Sequence, residues 1–303
     1  MNFSARFAHI EEKTAIPHQG VFTMQTKKYA VIGHPIGHTM SPFIHERLFA
    51  LKGIDAEYGV LDIAPEQLER EYRDTLLRLD GYNVTIPHKQ AMLPLLDSLD
   101  DKAKMYGSVN TVANFGGKAK GYTTDPDGFL KALEAAGIEL NGRIMILGCG
   151  GVARTMAYEI ALKGLEFEFA VRREDVGAAG LLCLDITKKI PDAKVSFGLI
   201  DQIIGNVDVL INATPIGMYP NVDEQPIHNC AIGRCKSVFD AVYNPLETAL
   251  VKRAKANGSK AEGGMSMLVW QAVVAHEHWD GSEYEPEEIR ILCADAAKAL
   301  AER

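Results

Sequence analysis

A short apolar strand, a glycine-rich turn and a helix follow one another in the middle of the chain. The strand is predicted over 143–147, the turn reads Gly148-Cys149-Gly150-Gly151, and the helix continues to about Lys163. A second strand over 166–171 completes a βαβ unit. Glycines in the first turn of such a unit let a pyrophosphate approach the helix N-terminus. The pattern therefore predicts a dinucleotide site, although a tight turn without a ligand would look the same.

The same alternation of strands and helices covers most of the chain. Further strands are predicted over 29–33, 56–61, 83–86, 207–212 and 237–242, and helices over 42–51, 65–79, 89–96, 127–136, 247–257, 268–279 and 287–301. Such alternation is typical of α/β proteins with a mostly parallel sheet. A chain of 303 residues is too long for one small core, so we expect two domains.

The stretch Asn83-Val84-Thr85-Ile86-Pro87-His88-Lys89 predicts a buried strand that ends beside a reactive group. Neighbouring β-branched residues favour the strand, and Pro87 ends it and can open a helix. Lys89 then lies at a strand-to-helix turn, where α/β proteins place reactive groups. A lysine there can hold an anion or transfer a proton. Taken alone, a solvated surface lysine is the simpler interpretation.

Gly116-Gly117 predicts a hairpin turn between strands over 109–115 and 118–124. In that register Asn110 faces Thr123, and Asp125 is the diagonal neighbour on the same face of the sheet. An amide and a carboxylate therefore converge at one end of the hairpin. Taken alone, Asp125 would more simply cap the helix that follows it.

A second glycine-rich turn follows the first strand and ends in Thr39-Met40-Ser41-Pro42. Ser41 is predicted to cap a helix that begins at Pro42. A capping hydroxyl beside free helix N–H groups is also a place to bind a carboxylate. Capping alone and carboxylate binding explain this pattern equally well.

Charge and cysteine content exclude several classes of function. The net charge is -8 and no long basic run occurs, which argues against a nucleic-acid partner. Five scattered cysteines offer no zinc pattern, and an odd number without a signal peptide predicts reduced thiols in the cytoplasm. No apolar run is long enough to span a membrane. We expect a cytoplasmic protein with a small-molecule ligand and no metal, and residues 1–28 as an N-terminal extension.

Together these motifs resemble the shikimate dehydrogenase family, including its quinate/shikimate branch. The resemblance covers about Tyr29 to the C-terminus. Its motifs stand in the family's order: 33–42, 83–89, Gly107-Ser108-Val109-Asn110-Thr111, Thr123-Thr124-Asp125 and 148–151, with support from Asn212-Ala213-Thr214-Pro215-Ile216-Gly217-Met218 and 267–271. No single motif is decisive, but their joint order is highly specific.

The resemblance implies two domains with a cleft between them, an α/β substrate domain and a Rossmann-like doubly wound dinucleotide-binding domain. The substrate domain would span 29–126, completed by 263–303, and the cofactor domain 127–262. It also implies reversible, NADP-dependent reduction of 3-dehydroshikimate to shikimate, an oxidoreductase step of aromatic amino-acid (chorismate) biosynthesis. NAD is possible as the cofactor, and the protein would be a monomer or homodimer.

The resemblance also assigns site residues. Lys89 and Asp125 match the family's catalytic pair, and Thr39 and Ser41 match hydroxyls that hold the substrate carboxylate. The other expected substrate-binding residues are Asn83, Thr85, Asn110, Tyr243 and Gln271, and the expected cofactor-binding residues are Gly148, Gly150, Gly151, Arg172, Arg173, Thr214, Gly217, Met218 and Gly264.

Two motifs depart from the family pattern. Thr39-Met40-Ser41 stands where Ser-x-Ser is usual, and Thr123-Thr124-Asp125 stands where Asn-Thr-Asp is usual. The methyl group of Thr39 should crowd quinate, with its extra hydroxyl, more than shikimate, which predicts a preference for shikimate. At Thr123 a hydroxyl replaces an amide, so the support of the catalytic pair is expected to change.

The residues after the second strand of the βαβ unit indicate which dinucleotide the protein uses. Arg172-Arg173 predicts NADP, because arginine binds a 2′-phosphate, whereas Glu174 and Asp175 could hold a ribose as in NAD binders. The run resembles the family's dual-cofactor branch. The alternatives are a quinate/shikimate dehydrogenase that uses NAD, and a non-catalytic ligand- or redox-sensing relative. Lys89 and Asp125 favour the enzyme, because a sensor does not need a proton-transfer pair.

Overall fold

The computed structural model describes residues 26–37 and 39–302. The predicted N-terminal extension over 1–28 lies almost entirely outside these residues. Its last two residues, Lys27 and Lys28, belong to the first strand, which pairs with a neighbouring strand from Lys27 onward. The first strand therefore begins two residues before the predicted strand over 29–33, and the extension stays a prediction.

Within the described residues, the strands form two six-stranded sheets. In chain order they are β1 (Lys27–Gly33), β2 (Ala56–Asp62), β3 (Gly81–Val84), β4 (Ser98–Leu99), β5 (Thr111–Phe115), β6 (Lys118–Tyr122), β7 (Ile144–Leu147), β8 (Phe167–Val171), β9 (Val195–Leu199), β10 (Val207–Asn212), β11 (Cys235–Asp240) and β12 (Lys260–Glu262). The first sheet has the order β2-β1-β3-β5-β6-β4 and is mixed. The second has the order β12-β11-β10-β7-β8-β9 and is parallel throughout.

The second sheet has the doubly wound order of dinucleotide-binding domains, with the switch point between β7 and β10. Its central strands are almost completely buried because helices cover both faces, which is typical of parallel sheets. The predicted α/β class with a Rossmann-like second domain is confirmed. The predicted βαβ unit is confirmed as well, as β7, a helix over Gly151–Leu162 and β8.

Ten α-helices occur within 26–37 and 39–302. They are α1 (Ser41–Lys52), α2 (Leu68–Asp74), α3 (Asp101–Tyr106), α4 (Asp125–Ala135), α5 (Gly151–Leu162), α6 (Val176–Lys189), α7 (Asn229–Ile232), α8 (Ala249–Ala256), α9 (Met265–Trp279) and α10 (Pro286–Ala301). Helices α9 and α10 share one apolar core with α1, through Ile44, Leu48, Val269, Val273 and Leu292. The end of the chain therefore returns to the first sheet. This packing supports the domain division over 29–126 with 263–303 and 127–262, which stays a prediction.

Two helix predictions in the first half of the chain were wrong. The segment predicted as a helix over 89–96 forms turns followed by one short 3-10 helix, Leu93–Leu95. Pro94 has no N–H, and its ring would clash with the carbonyl of Gln90 in an α-helix. In the segment 65–79, only α2 is α-helical, between two 3-10 turns. Helix α6 and strand β9 had not been predicted.

A pair of buried histidines connects α1 with α9. The Nδ1 atom of His45 lies 3.1 Å from the Nε2 atom of His276, and both side chains are fully buried. Burial lowers the pKa of both imidazoles, and the neighbouring His276 lowers that of His45 further. Asp280 partly opposes the shift of the His276 pKa. Both rings are therefore neutral near pH 7.

We expect this pair to make the protein less stable in mild acid. Below about pH 6.5 the two imidazoles are protonated in the unfolded chain but stay neutral in the folded protein. The free energy of unfolding therefore falls as pH falls. Two such groups lower it by up to about 2–3 kcal/mol per pH unit. Urea unfolding between pH 7.5 and 5.5 should show this loss in the wild type and a smaller loss in His45→Phe/His276→Phe. Equal slopes for the two proteins would contradict the prediction.

Candidate active site

A cleft runs between the two sheets, where residues from the ends of β3 and β11 face each other. A cavity of about 210 Å³ at its centre is lined from both sides. It brings together all the predicted catalytic and substrate-binding residues except Thr39, namely Ser41, Asn83, Thr85, Lys89, Asn110, Asp125, Tyr243 and Gln271. Thr39 lies beside this cavity and contacts Ser41.

The two charged groups of the cavity form a direct pair. The Lys89 ammonium group donates to the Oδ2 atom of Asp125 at 2.5 Å, and both side chains are mostly buried. Asp125 is the first residue of α4, where the positive end of the helix dipole stabilises a carboxylate. Its Oδ1 atom accepts from the Asn110 amide at 2.9 Å. The carboxylate is therefore held on both oxygens and fixes the direction of the ammonium group.

The hairpin explains how Asn110 reaches Asp125. Thr111 pairs with Tyr122 and Phe115 with Lys118, so the predicted register is confirmed. Asn110 continues the pairing, because its backbone N–H donates to the carbonyl of Tyr122 at 3.0 Å. The chain then needs only a few more residues to place Asp125 at the same end of the hairpin.

Lys89 is positioned by a turn that is anchored on both sides. The imidazole of the buried His88 contacts the carbonyl oxygen of Ile63 at 2.6 Å. The carbonyl of Lys89 accepts from the backbone N–H of Val109 at 2.9 Å, beside the hairpin that carries Asn110. These long-range contacts replace the strand-to-helix turn expected from the sequence and hold Lys89 near Asp125.

The Ser41 hydroxyl does not cap α1, contrary to the sequence prediction. Helix α1 begins at Ser41 itself, and Met40 at the capping position makes no side-chain bond. The hydroxyl of Thr39 instead accepts from the Ser41 backbone N–H at 3.1 Å and donates to the Ser41 hydroxyl at 3.1 Å. Two hydroxyls and a helix N-terminus therefore meet at one corner of the cleft.

Tyr58 is a site residue that the sequence did not reveal. Its hydroxyl is hydrogen-bonded to the Ser41 side chain and donates to the Oδ1 atom of Asn83 at 2.6 Å. Burial raises the pKa of Tyr58 far above its usual value, so the hydroxyl keeps its proton. Tyr58 lies on β2 and Asn83 on β3, with β1 between them. Only the sheet order brings them together, so no local pattern could have shown this contact.

The amide groups of the cavity are fixed by threonines. The Asn83 amide donates to the Thr111 hydroxyl at 3.1 Å, and the side-chain Oδ1 atom of Asn110 accepts from the backbone N–H of Thr124 at 2.7 Å. The Asn110 amide also lies 3.4 Å from the side-chain oxygen of Gln271. Thr124 thus supports Asn110, whereas the buried Thr123 hydroxyl has no hydrogen-bond partner within the described part of the chain.

A second, larger cavity of about 630 Å³ lies at the N-terminus of α5. It is lined by Gly148, Gly150, Arg172 and Thr214, among other residues. Gly148 has a φ of 88°, which favours glycine, and no atom lies within 4 Å of a Cβ built on Gly150. A side chain at position 150 would project into the open space in front of the helix, whereas one at position 148 would collide with the Thr214 side chain. The residues present therefore fit a dinucleotide with its pyrophosphate at the N-terminus of α5.

Some predicted cofactor residues lie outside this second cavity. Gly151, Arg173, Gly217 and Met218 do not line it, and Gly264 lines the cavity with Lys89 instead. The Arg172 side chain is exposed, and its Nε atom donates to Asp175 at 2.8 Å. It also contacts Glu174 at 3.3 Å. The arginine that is expected to hold a 2′-phosphate is therefore engaged by the two acids that follow Arg173.

Among residues 26–37 and 39–302, no group of three or more His, Cys, Asp and Glu side chains is arranged to hold a metal ion. Within the same residues, no helix combines the length and the apolar character that crossing a membrane requires.

The fold and the site define a class of two-domain α/β proteins in which a dinucleotide cavity adjoins a polar substrate cleft. The substrate binding domain model of shikimate dehydrogenases matches residues 31–112. The shikimate dehydrogenase (NADP(+)) of Methanocaldococcus jannaschii is 39% identical over 277 residues, which are 89% of this chain and 97% of the relative. That of Caldanaerobacter subterraneus is 35% identical over 266 residues, with coverages of 86% and 94%. The chain belongs to the shikimate dehydrogenase family.

Solved structures agree with this membership. The shikimate 5-dehydrogenase of Thermus thermophilus, in complex with NADP(H) and shikimate, matches with a TM-score of 0.78 and 30% identity. The match covers 89% of this chain and 99% of that one. The resemblance expected from the sequence motifs is confirmed over most of the chain.

Proposed function

We propose that the protein is a shikimate dehydrogenase, an NAD(P)-dependent oxidoreductase that reversibly reduces 3-dehydroshikimate to shikimate with NADP as its cofactor. The Lys89–Asp125 pair in the cleft is the observation that carries this proposal. The names of the relatives support both the substrate and NADP. In this proposal 29–126 with 263–303 bind the substrate, and 127–262 bind the cofactor.

A dinucleotide held at the N-terminus of α5 would supply the hydride for the proposed reduction of the ring carbonyl. Negative charge then develops on the carbonyl oxygen, and the Lys89 ammonium group stabilises this charge and donates a proton to it. Asp125 directs the ammonium group, and Asn110 keeps Asp125 in place. In the oxidation of shikimate, the neutral amine form of Lys89 would take up the proton that the hydroxyl group releases, which regenerates the ammonium group.

The rest of the cavity is proposed to orient the ring acid. Ser41 and Thr39 would hold the carboxylate, where the N-terminus of α1 adds favourable partial charge. The ring hydroxyls would bind to polar side chains that line the same cavity, which are Asn83, Thr85, Asn110, Tyr243 and Gln271. Tyr58 would support this arrangement, because its hydroxyl fixes both Ser41 and Asn83.

The cofactor is proposed to bind with its pyrophosphate at Gly148, Gly150 and Gly151, and with its 2′-phosphate at Arg172 and Arg173. Gly264, Thr214 and the segment Gly217-Met218 would lie towards the nicotinamide end.

We expect Arg172→Ala/Arg173→Ala to lower kcat/KM for NADP by about 10- to 100-fold, because charged hydrogen bonds contribute roughly 1.5–3 kcal/mol each. The values for NAD should change little, since NAD lacks the 2′-phosphate.

Steady-state kinetics with both cofactors measure this effect. Arg70→Ala/Arg73→Ala is a matched control, because these exposed arginines also pair with nearby acids but lie on α2. The control should leave the use of both cofactors unchanged. If the wild type prefers NAD and the Arg172/Arg173 variant uses NADP as before, the assignment of the 2′-phosphate site is wrong.

A spectrophotometric screen of shikimate and quinate with NADP and NAD tests the proposed function. We expect the highest kcat/KM for shikimate with NADP. A higher value for quinate with NAD would indicate the quinate/shikimate branch instead. Binding of the ligands without any turnover would favour a sensor over an enzyme.

We also propose that the protein is cytoplasmic, has no nucleic-acid partner, and acts as a monomer or homodimer. The five cysteines are free, and the net charge of -8 disfavours binding to nucleic acid. Light scattering of the purified protein distinguishes the two oligomeric states.

A further inference from the structure

Asp240, the last residue of β11, has a fully buried carboxylate that the proposed mechanism does not use. Its Oδ1 atom accepts from the Asn212 amide at 2.9 Å and from the backbone N–H of Val242 at 3.0 Å. Its Oδ2 atom accepts from the Thr248 hydroxyl at 2.6 Å. All three donors are neutral groups, and burial raises the pKa of Asp240 to about 6. A buried carboxylate bound only by neutral donors is costly, so its presence requires a reason.

The bond to Asn212 sets the loop that lines the dinucleotide cavity. Because its amide donates to Asp240, Asn212 presents its side-chain oxygen to Thr214. That oxygen accepts from the Thr214 hydroxyl at 2.6 Å and from its backbone N–H at 3.1 Å. The Thr214 hydroxyl oxygen in turn accepts from the backbone N–H of Ile216 at 3.3 Å. Thr214 and Ile216 both line the cavity in front of α5.

The other two bonds of Asp240 tie neighbouring segments to the same point. Val242 lies between Ala241 and Tyr243, which line the cavity that contains Lys89. The Thr248 hydroxyl also caps α8, and Gly217 lies against the Thr248 side chain. One carboxylate therefore fixes three segments, of which one lines the dinucleotide cavity and another lines the cavity that contains Lys89.

We propose that Asp240 is a positioning residue for the dinucleotide, acting through Asn212 and Thr214 on the wall of the cavity. This inference rests on the proposed function, because it takes NADP as the ligand of that cavity. In a neutral amide at position 240, an NH₂ group replaces one of the two acceptor oxygens, so the side chain cannot accept from Asn212, Val242 and Thr248 together. The loop that contains Thr214 then loses the alignment that the bound cofactor requires.

Direct titration with NADP⁺, measured by calorimetry, tests this proposal without relying on turnover. Asp240→Asn should raise the Kd for NADP⁺ by about tenfold or more. Thr214→Val should weaken binding as well. The Kd of the double variant should not exceed the higher of the two single-variant values, because both substitutions break the same series of hydrogen bonds. Additive effects of the two substitutions would overturn the proposal, since they would show that Asp240 does not act through Thr214.

Glu159→Gln is the matched control. Glu159 is another buried carboxylate of the same half of the chain, bound by the Tyr106 hydroxyl at 2.6 Å, and it does not line the cavity with Thr214. The substitution should lower the unfolding temperature and leave the Kd within about twofold of the wild type. An Asp240→Asn protein with wild-type affinity for NADP⁺ would show that Asp240 serves folding alone.

Thr248 provides a second route if Asp240→Asn does not fold. Thr248→Val removes one bond to the carboxylate and should weaken NADP⁺ binding several-fold, whereas Thr248→Ser keeps the hydroxyl and should restore it. Equal affinities of the valine and serine variants would contradict the proposal. If the wild type itself does not bind NADP⁺, the proposed function fails. If the wild type and the variants bind NADP⁺ equally well, only the role proposed for Asp240 fails.

Discussion

Lys89→Met is expected to lower kcat for shikimate oxidation by about 10²–10⁴-fold, the range typical of a lost general acid or base. Methionine keeps an unbranched apolar side chain but cannot transfer a proton or stabilise charge on the reacting oxygen. The fold should persist, because Lys89 contributes its backbone carbonyl, not its ammonium group, to the turn. Stopped-flow and steady-state kinetics, with a direct titration of NADP⁺ in parallel, separate the loss of turnover from any loss of cofactor binding.

The chain contains a closely matched control for this experiment. Lys102 on α3 donates to Asp127 at 2.7 Å, and Asp127 lies on α4 two residues after Asp125. This second lysine–aspartate pair does not line the cavity with Lys89. Lys102→Met should therefore change kcat by less than about threefold. A loss below tenfold in Lys89→Met would show that Lys89 is not the acid/base group.

Ser41→Ala is expected to lower kcat/KM for shikimate by about 10- to 100-fold through a higher KM. A hydrogen bond to an ionised carboxylate contributes roughly 1.5–3 kcal/mol, and alanine removes one such donor. The substitution should also disturb the position of the Asn83 side chain, because the Tyr58 hydroxyl connects Ser41 with Asn83. The Kd for NADP⁺ should not change, since Ser41 does not line the cavity in front of α5. Steady-state kinetics at saturating NADP⁺ measure the effect.

Ser98→Ala serves as the control for this substitution. Ser98 is an exposed residue of β4 at the edge of the same sheet, so its loss should leave KM for shikimate unchanged. Thr39→Ala should resemble Ser41→Ala, because the two hydroxyls bond to each other. A change in KM of less than twofold in both variants would place the carboxylate elsewhere.

Local patterns in the sequence predicted the parts of the fold that local interactions determine. The strand, glycine turn and helix around Gly150 follow from composition over a few residues, and the register of the hairpin follows from its two-residue turn. These predictions needed no information about the rest of the chain. The juxtaposition of Asn110 and Asp125 followed from that register alone.

The failures have two kinds of cause, local features that the predictions missed and contacts between distant segments. The helix expected after Lys89 is absent because Pro94 breaks it and Val109 binds the Lys89 carbonyl. Ser41 was expected to cap α1, but Thr39 is the residue whose side chain bonds to the start of the helix. Tyr58 could not be found, because its contacts depend on the order of three strands in the sheet.

Product analysis after the purified wild type is mixed with shikimate and NADP⁺ tests the proposed reaction most directly. NADPH and 3-dehydroshikimate should form in equal amounts, and Lys89→Met should form both far more slowly while it binds NADP⁺ normally. Reduction of NADP⁺ without a matching ring ketone, or wild-type rates in Lys89→Met, would contradict the proposed reaction.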